Sequence, residues 1–303
     1  MHFPFRIGTR GSPLALTQAA MTAEALRQAH GWAEDQVAIV PIKTTGDRVQ
    51  DRPLADLGGK ALWTKELDRA LIAGEIDCAV HSMKDVETLR PAEIAIAAML
   101  PRADVRDRLI GADSISALRE GAVVGTSSPR RAAQLLRARP DLQIILFRGN
   151  VATRLQKLSA GEADATLLAA AGLDRLGLSM VGTAIDIEEM LPAPSQGAVG
   201  IETLAARDDL LALIGAIDDA KTTACVMAER ALLAGLSADC RSPVAANAVL
   251  EGGAIRLSAE ILSEDGRLHR RGIAVLNAPE DAAGLADVLL DGAEPELAAL
   301  FRK

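Results

Sequence analysis

Short apolar runs alternate with stretches of helical periodicity along most of the chain, the pattern of an α/β fold. Phe5 to Thr9 reads as a strand, and Arg10-Gly11 as a turn. Ser12 followed by Pro13 is an N-cap with proline at the first helical position, and Ala15, Ala19 and Leu26 then fall on one stripe of a helix. Val37 to Ile42 is a second buried strand. Thr44 to Gly59 is polar and is expected to be a mobile loop, closed by Gly58-Gly59-Lys60. A helix with Trp63, Leu67, Ala70 and Leu71 on one face follows, then a buried run at Cys78 to Val80 that stops in polar residues, and a strand at Ile94 to Met99. The pattern then restarts. Val123-Val124-Gly125-Thr126-Ser127-Ser128-Pro129 echoes Arg6-Ile7-Gly8-Thr9-Arg10-Gly11-Ser12-Pro13, and Ala160-Gly161-Glu162-Ala163-Asp164-Ala165 echoes Ala73-Gly74-Glu75-Ile76-Asp77-Cys78, in the same order. Each half presents a helix N-terminus just after a strand, a ready anion site. Two α/β lobes of similar plan, facing each other across a cleft, are expected.

Met190 to Gln196 is proline-rich and reads as a linker, and Gly197 to Glu202 as a strand returning the chain to the first lobe. From Asp218 the character changes: a helix capped by Asp219 and running through Leu236, then strands at Val244 to Leu250, Ile255 to Leu262 and Ile273 to Leu276, joined by Glu251-Gly252-Gly253 and Glu264-Asp265-Gly266, and a last helix from Pro279. The expected organisation is a discontinuous first lobe (1–100 plus 197–217), a second lobe (101–196) and a small C-terminal α+β domain (218–303) with a three-stranded antiparallel sheet.

The 303 residues carry a formal net charge of −8 and no Tyr, which argues against a nucleic-acid surface and against stacking on single strands. No apolar run reaches the length of a membrane span, and Met1 to Arg6 lacks an apolar leader, so a mature cytoplasmic protein is expected. The cysteines Cys78, Cys225 and Cys240 are odd in number with no C-x-x-C, and the four His include no H-x-x-x-H; neither a disulfide framework nor a metal is expected.

Candidate chemistry begins at His81-Ser82-Met83-Lys84-Asp85, where a strand ends and a cation stands beside an anion. For that stretch alone the plainer reading is that Asp85 caps a helix and Lys84 is solvated. Arg130 and Arg131 lie in the first turn of a helix, where cations oppose the macrodipole, a placement that makes sense if an anion binds there. Arg10, Arg148 and Arg154 also lie at strand ends or early in the next helix. Cys240 precedes Arg241 in a loop and is the cysteine suited to covalent chemistry, although an accidental surface thiol remains open; Cys78 and Cys225 lie on apolar faces. There is no convincing Ser/His/Asp order, Walker loop or G-x-G-x-x-G.

Taken together, Thr9-Arg10-Gly11-Ser12-Pro13-Leu14-Ala15, Gly58-Gly59-Lys60, Ala79-Val80-His81-Ser82-Met83-Lys84-Asp85-Val86, Gly125-Thr126-Ser127-Ser128-Pro129-Arg130-Arg131, Arg148-Gly149-Asn150-Val151 and Gln196-Gly197-Ala198-Val199-Gly200 resemble the porphobilinogen deaminase (hydroxymethylbilane synthase) family from Arg6 to about Val249. The resemblance implies two periplasmic-binding-protein-like α/β lobes plus a third domain. It implies head-to-tail condensation of four porphobilinogen molecules into hydroxymethylbilane with release of ammonia. It also implies a dipyrromethane cofactor covalently attached to Cys240, with Asp85 stabilising the cation left when ammonia departs. Arg10, Ser12, Lys60, Ser82, Lys84, Arg130, Arg131, Arg148 and Arg154 match positions that bind acetate and propionate groups, and Ser127, Ser128 and Gln196 lie in the same motifs. Porphobilinogen is the implied partner, with a monomer expected and no nucleic acid or membrane. Two departures stand out: Ala238-Asp239 replaces the usual Gly-Gly before the anchoring cysteine, and Trp63 replaces a Phe. The rivals are a non-catalytic two-lobed binding protein for a polycarboxylate, which leaves Cys240 and the third domain unexplained, and a cysteine-nucleophile acyltransferase, which lacks an evident His partner.

Overall fold

A computed structural model describes residues 3–44 and 64–301. The expected mobile loop, apart from Thr44, lies outside the described residues, as do Lys60 and Trp63. The chain divides into two contact units: residues 1–103 with 197–223, and 104–196 with 224–303.

In the first unit, β1 (Phe5–Arg10), α1 (Pro13–His30), β2 (Val37–Ile42), α2 (Lys65–Ile72), β3 (Cys78–Ser82) and β4 (Ile94–Met99) follow one another. In the second, β5 (Asp107–Ile110), β6 (Val123–Gly125), α3 (Pro129–Ala138), β7 (Gln143–Ile145), α4 (Val151–Ser159), β8 (Ala165–Ala169), α5 (Ala170–Arg175) and β9 (Thr183–Ala184) build a second sheet. Then β10 (Val199–Leu204) and α6 (Asp208–Gly215) complete the first unit. α7 (Ala220–Gly235) leads to β11 (Val244–Glu251), β12 (Ala254–Leu262), β13 (His269–Leu276), α8 (Ala282–Asp291) and α9 (Pro295–Ala299). The strand orders are β2-β1-β3-β10-β4, β7-β6-β8-β5-β9 and β11-β12-β13.

The first two sheets share a plan, and the echoed residues show why. Ser12 and Ser128 each cap the helix that follows β1 or β6, with Pro13 and Pro129 at its start. Asp77 and Asp164 act identically: each backbone N–H donates to the carbonyl of one strand residue, Arg6 of β1 or Val123 of β6, at 2.8 Å, and each carboxylate accepts that residue's N–H at 2.7 Å. Phe5, Ile7, Leu26, Val80 and Ile201 share one core, Leu109, Val124, Leu135 and Leu167 a second, and Leu232, Leu257, Ile261 and Leu289 a third.

Several elements depart from expectation. The β3 strand continues through His81 and Ser82, because β10 runs antiparallel beside it and pairs Gly200 with His81 and Val199 with Ser82. The sheet is therefore mixed, not parallel. β13 begins at His269 rather than Ile273, since polar His269-Arg270-Arg271 still pair with β12 along the sheet edge. The short strands β5 and β9 and the helix α6 carry too little periodicity to be foreseen.

Behind β3 lies a buried ionic network. The Arg90 guanidinium grips Glu202 at 2.8 and 2.9 Å, reaches Glu87 at 2.7 Å, and also bonds Asp68. His81 Nε2 lies 3.2 Å from Glu202 Oε2, the oxygen that Arg90 Nη2 also holds, close but not aligned as a hydrogen bond. Burial pushes the Glu202 value up, but His81 and Arg90 outweigh it and hold the carboxyl at about 2, against 4.5 ordinarily. With the folded value below the unfolded one, this stabilisation is complete above pH 4.5 and is lost as pH falls towards 2, a swing of about 3 kcal/mol. Urea unfolding at stepped pH should show the acid-side loss of stability in the wild type and a shallower slope in Glu202→Gln; equal slopes would remove Glu202 as its source.

Candidate functional site

In the first unit, one pocket of about 50 Å³ gathers Arg10, Ser12, Gln18, His81, Ser82 and Asp85 among its lining residues. The register explains the convergence: β1 pairs in parallel with β3, so the end of β1 and the start of α1 stand beside the end of β3. Ser12 accepts from the Ala15 N–H at 3.3 Å, so part of its hydroxyl is committed to the cap. Gln18 Nε2 lies 2.7 Å from Ser82 Oγ. Asp85 closes a single 3₁₀ turn, Met83–Asp85, and is half-buried. Among the described residues no group hydrogen-bonds its carboxylate, which leaves it able to meet an N–H or a cation in the pocket. Lys84 is half-buried and lies outside that lining.

In the second unit the cations are organised by a residue the sequence reading passed over. Asp107, wholly buried at the start of β5, holds Arg130 Nη2 at 2.7 Å on one oxygen and Arg131 Nη2 at 2.6 Å on the other. Gln196 Nε2 donates to the same carboxylate at 2.9 Å and to the Val105 carbonyl at 2.7 Å. Arg130 also donates to the Leu191 carbonyl and Arg131 to that of Leu167, both at 2.9 Å. The anion expected beside this arginine pair is thus present within the chain. Both guanidinium groups share that one carboxylate directly, and the Nε atoms of Arg130 and Arg131 are buried without a hydrogen-bond partner. Burial pulls the Arg130 value below its ordinary range; Asp107 opposes that and the neighbouring Arg131 adds to it.

Ser128 caps α3, accepting from the Arg131 N–H at 3.4 Å. Ser127 accepts from Arg154 Nη2 at 3.1 Å, while Arg154 Nε donates to the Gly149 carbonyl at 3.0 Å. Gly149 has φ +111°, and a Cβ there would lie 2.6 Å from Thr153, so glycine alone lets the chain turn from buried Arg148 into the Asn150 cap of α4. Cys240 is exposed, whereas Cys78 and Cys225 are buried in cores, where burial first and Asp77 second push the Cys78 thiol up. Asp239 is held by Arg241, whose N–H and guanidinium reach it at 2.8 and 2.9 Å.

Gln18 and Asp107 were legible only in part. Gln18 occupies the stripe of Ala15, Ala19, Thr22 and Leu26, and a polar residue on an apolar face is a signal. Asp107 opens a short strand with nothing local to mark it.

Comparison with known proteins adds the following. The family model described as porphobilinogen deaminase, dipyromethane cofactor binding domain, matches residues 5–212, and that of the porphobilinogen deaminase C-terminal domain matches residues 223–290. A porphobilinogen deaminase of Sphingopyxis alaskensis is 59% identical over 98% of this chain and 96% of its own length, and one of Paracoccus denitrificans is 53% identical over 87% and 85%. Among solved structures, an ancestral arginine-binding protein bound to arginine is 17% identical with a TM-score of 0.41, over 72% of this chain and 92% of its own.

Removing the negative charge from the arginine pair should be costly, because it leaves two buried guanidinium groups facing each other. Asp107→Asn is expected to cost about 3 kcal/mol or more. A urea midpoint unchanged from wild type would contradict the assigned role of Asp107.

Proposed function

The chain belongs to the porphobilinogen deaminase family, and from that premise we propose which of its residues carry the family's reaction. The protein condenses four porphobilinogen molecules head to tail into hydroxymethylbilane, breaking one C–N bond and forming one C–C bond at each addition, with ammonia as the leaving group. It does so on a covalent dipyrromethane cofactor, which supplies the acceptor carbon from which the chain grows. The non-catalytic binding reading has no observation in its favour, since family matches extend over both the α/β body and the C-terminal domain.

Asp85 is assigned the electrostatic role. Loss of ammonia leaves positive charge spread over the pyrrole ring and its nitrogen, and a fixed carboxylate close by stabilises that charge as it develops. The observation that carries this is the Asp85 carboxylate itself: it lines a pocket with Arg10, Ser12 and Ser82 and has no hydrogen-bond partner among the described residues.

Arg130, Arg131, Arg148 and Arg154, with Ser127 and Ser128, are assigned to the carboxylates of cofactor and substrate, together with Arg10, Ser12, Ser82, Lys84 and, outside the described residues, Lys60. The donor set fits a polycarboxylate: the pair around Asp107 keeps two buried Nε–H groups unmet. Gln196 is assigned to the same cluster through its bond to Asp107. Cys240 is assigned as the thioether anchor, supported by its exposure when the other two cysteines lie in cores. The Asp239 carboxylate, engaged by Arg241, is compatible with that role. A cytoplasmic monomer acting on a small molecule, with neither nucleic acid nor membrane as partner, is the accompanying reading; the charge of −8 supports it, and no described helix is long and apolar enough to cross a membrane.

Two experiments test these assignments. Asp85→Asn keeps the shape and removes the charge, so the protein should fold normally and lose about 100-fold or more in turnover of porphobilinogen; near-normal consumption would refute the role. Intact mass of the three Cys→Ser variants should show the cofactor adduct missing only from Cys240→Ser. An adduct retained there, or lost from folded Cys78→Ser or Cys225→Ser, would move the anchor elsewhere.

A further inference from the structure

Arg130 is held from a third side, and that side belongs to the C-terminal sheet. Its Nη1 donates to Gln134 Oε1 at 3.0 Å, one helical turn along α3. Gln134 Nε2 in turn donates to Glu260 Oε2 at 3.0 Å. Gln134 is 2% exposed and Glu260 1%. The second Glu260 oxygen lies 3.3 Å from Arg137 and 3.8 Å from His269 Nδ1, without an aligned hydrogen bond to either. Glu260 sits on β12 and pairs in register with Ala245 of β11, the strand entered directly from the Cys240 loop. The hairpin after β12 is pressed onto the same helix: a Cβ on Gly266 would lie 2.3 Å from the Ala133 carbonyl.

The polarity of this chain has one solution. An amide offers an acceptor and donors on one rigid plane, so Gln134 can receive from a guanidinium and give to a carboxylate at once. A carboxylate at that position would face Glu260, and a leucine would strand both neighbours in a buried place. Asp107, the Leu191 carbonyl and Gln134 together fix the guanidinium plane of Arg130, and hence where its remaining N–H groups point.

We infer that Gln134 and Glu260 are positioning residues for Arg130, through which the domain carrying Cys240 sets the direction in which Arg130 meets a cofactor carboxylate. The inference rests on the proposed reading that Arg130 holds the cofactor. A charge-assisted bond that orients a cation has its effect on the grip of the anionic ligand, over and above its effect on the fold.

The test compares melting midpoints of the loaded protein and of its Cys240→Ser form, each with and without Glu260→Gln, Gln134→Leu and both together. The gap between the loaded and Cys240→Ser midpoints reads the stabilisation contributed by the bound cofactor. Either substitution is expected to lower the loaded midpoint more than the Cys240→Ser midpoint and so remove about half of the gap, and the double variant to go no further than Gln134→Leu alone. Intact mass should show a reduced loaded fraction in the same variants. Equal losses in loaded and Cys240→Ser proteins would make the two residues merely structural and overturn the inference, as would additive effects of the two substitutions. Arg130→Leu separates the layers: if it narrows the gap while Glu260→Gln and Gln134→Leu do not, the inference alone fails. If Arg130→Leu leaves the gap unchanged, the reading of Arg130 as a cofactor ligand fails and takes the inference with it.

Discussion

Asp107 holds two arginines in a place from which water is excluded, and much of the second unit is arranged around that fact. A buried guanidinium is tolerable only beside an opposite charge and with its N–H groups occupied. One carboxylate shared between Arg130 and Arg131 meets the first demand, while the carbonyls of Leu167 and Leu191 and the amide of Gln134 answer the second. The N-terminal end of α3 adds its own partial positive charge at the same spot. What is left over is two buried donors, the Nε–H groups of Arg130 and Arg131, without a hydrogen-bond partner.

The first unit has a buried ionic network of its own: Arg90 stands among Asp68, Glu87 and Glu202, with His81 Nε2 close to Glu202. Asp85, three residues beyond the end of the strand that carries His81, has no cation bonded to it among the described residues.

The chain's plan was legible where a residue type has few uses. Ser-Pro after a strand caps a helix in both halves, and an aspartate before a strand fastens the neighbouring strand in both, so the repeat could be read from two short echoes. The exposed thiol and the two core thiols were separable by their neighbours. What could not be read was long-range pairing. The chain itself does not announce that Asp107 meets a helix some twenty residues later, that β10 holds β3 in strand geometry through Ser82, or that Glu260 on the central strand of the C-terminal sheet reaches α3. Asp239, a departure from the family's usual glycine, turned out to be matched by the arginine two residues on.

The position of β10 in the first sheet has a consequence for how the protein is made. The second sheet is drawn wholly from residues 107–184, so every one of its strands emerges from the ribosome before β10 does. In the first sheet β10 lies between β3 and β4, and among the described residues β4 pairs with no other strand. Although it begins the chain, the first unit stays an open half-sheet until Val199–Leu204 emerge, while the middle of the chain can already have closed its own. That order of emergence runs against the usual N-terminal-first order of folding during translation, and until β10 emerges β3 keeps open the strand edge that β10 later covers.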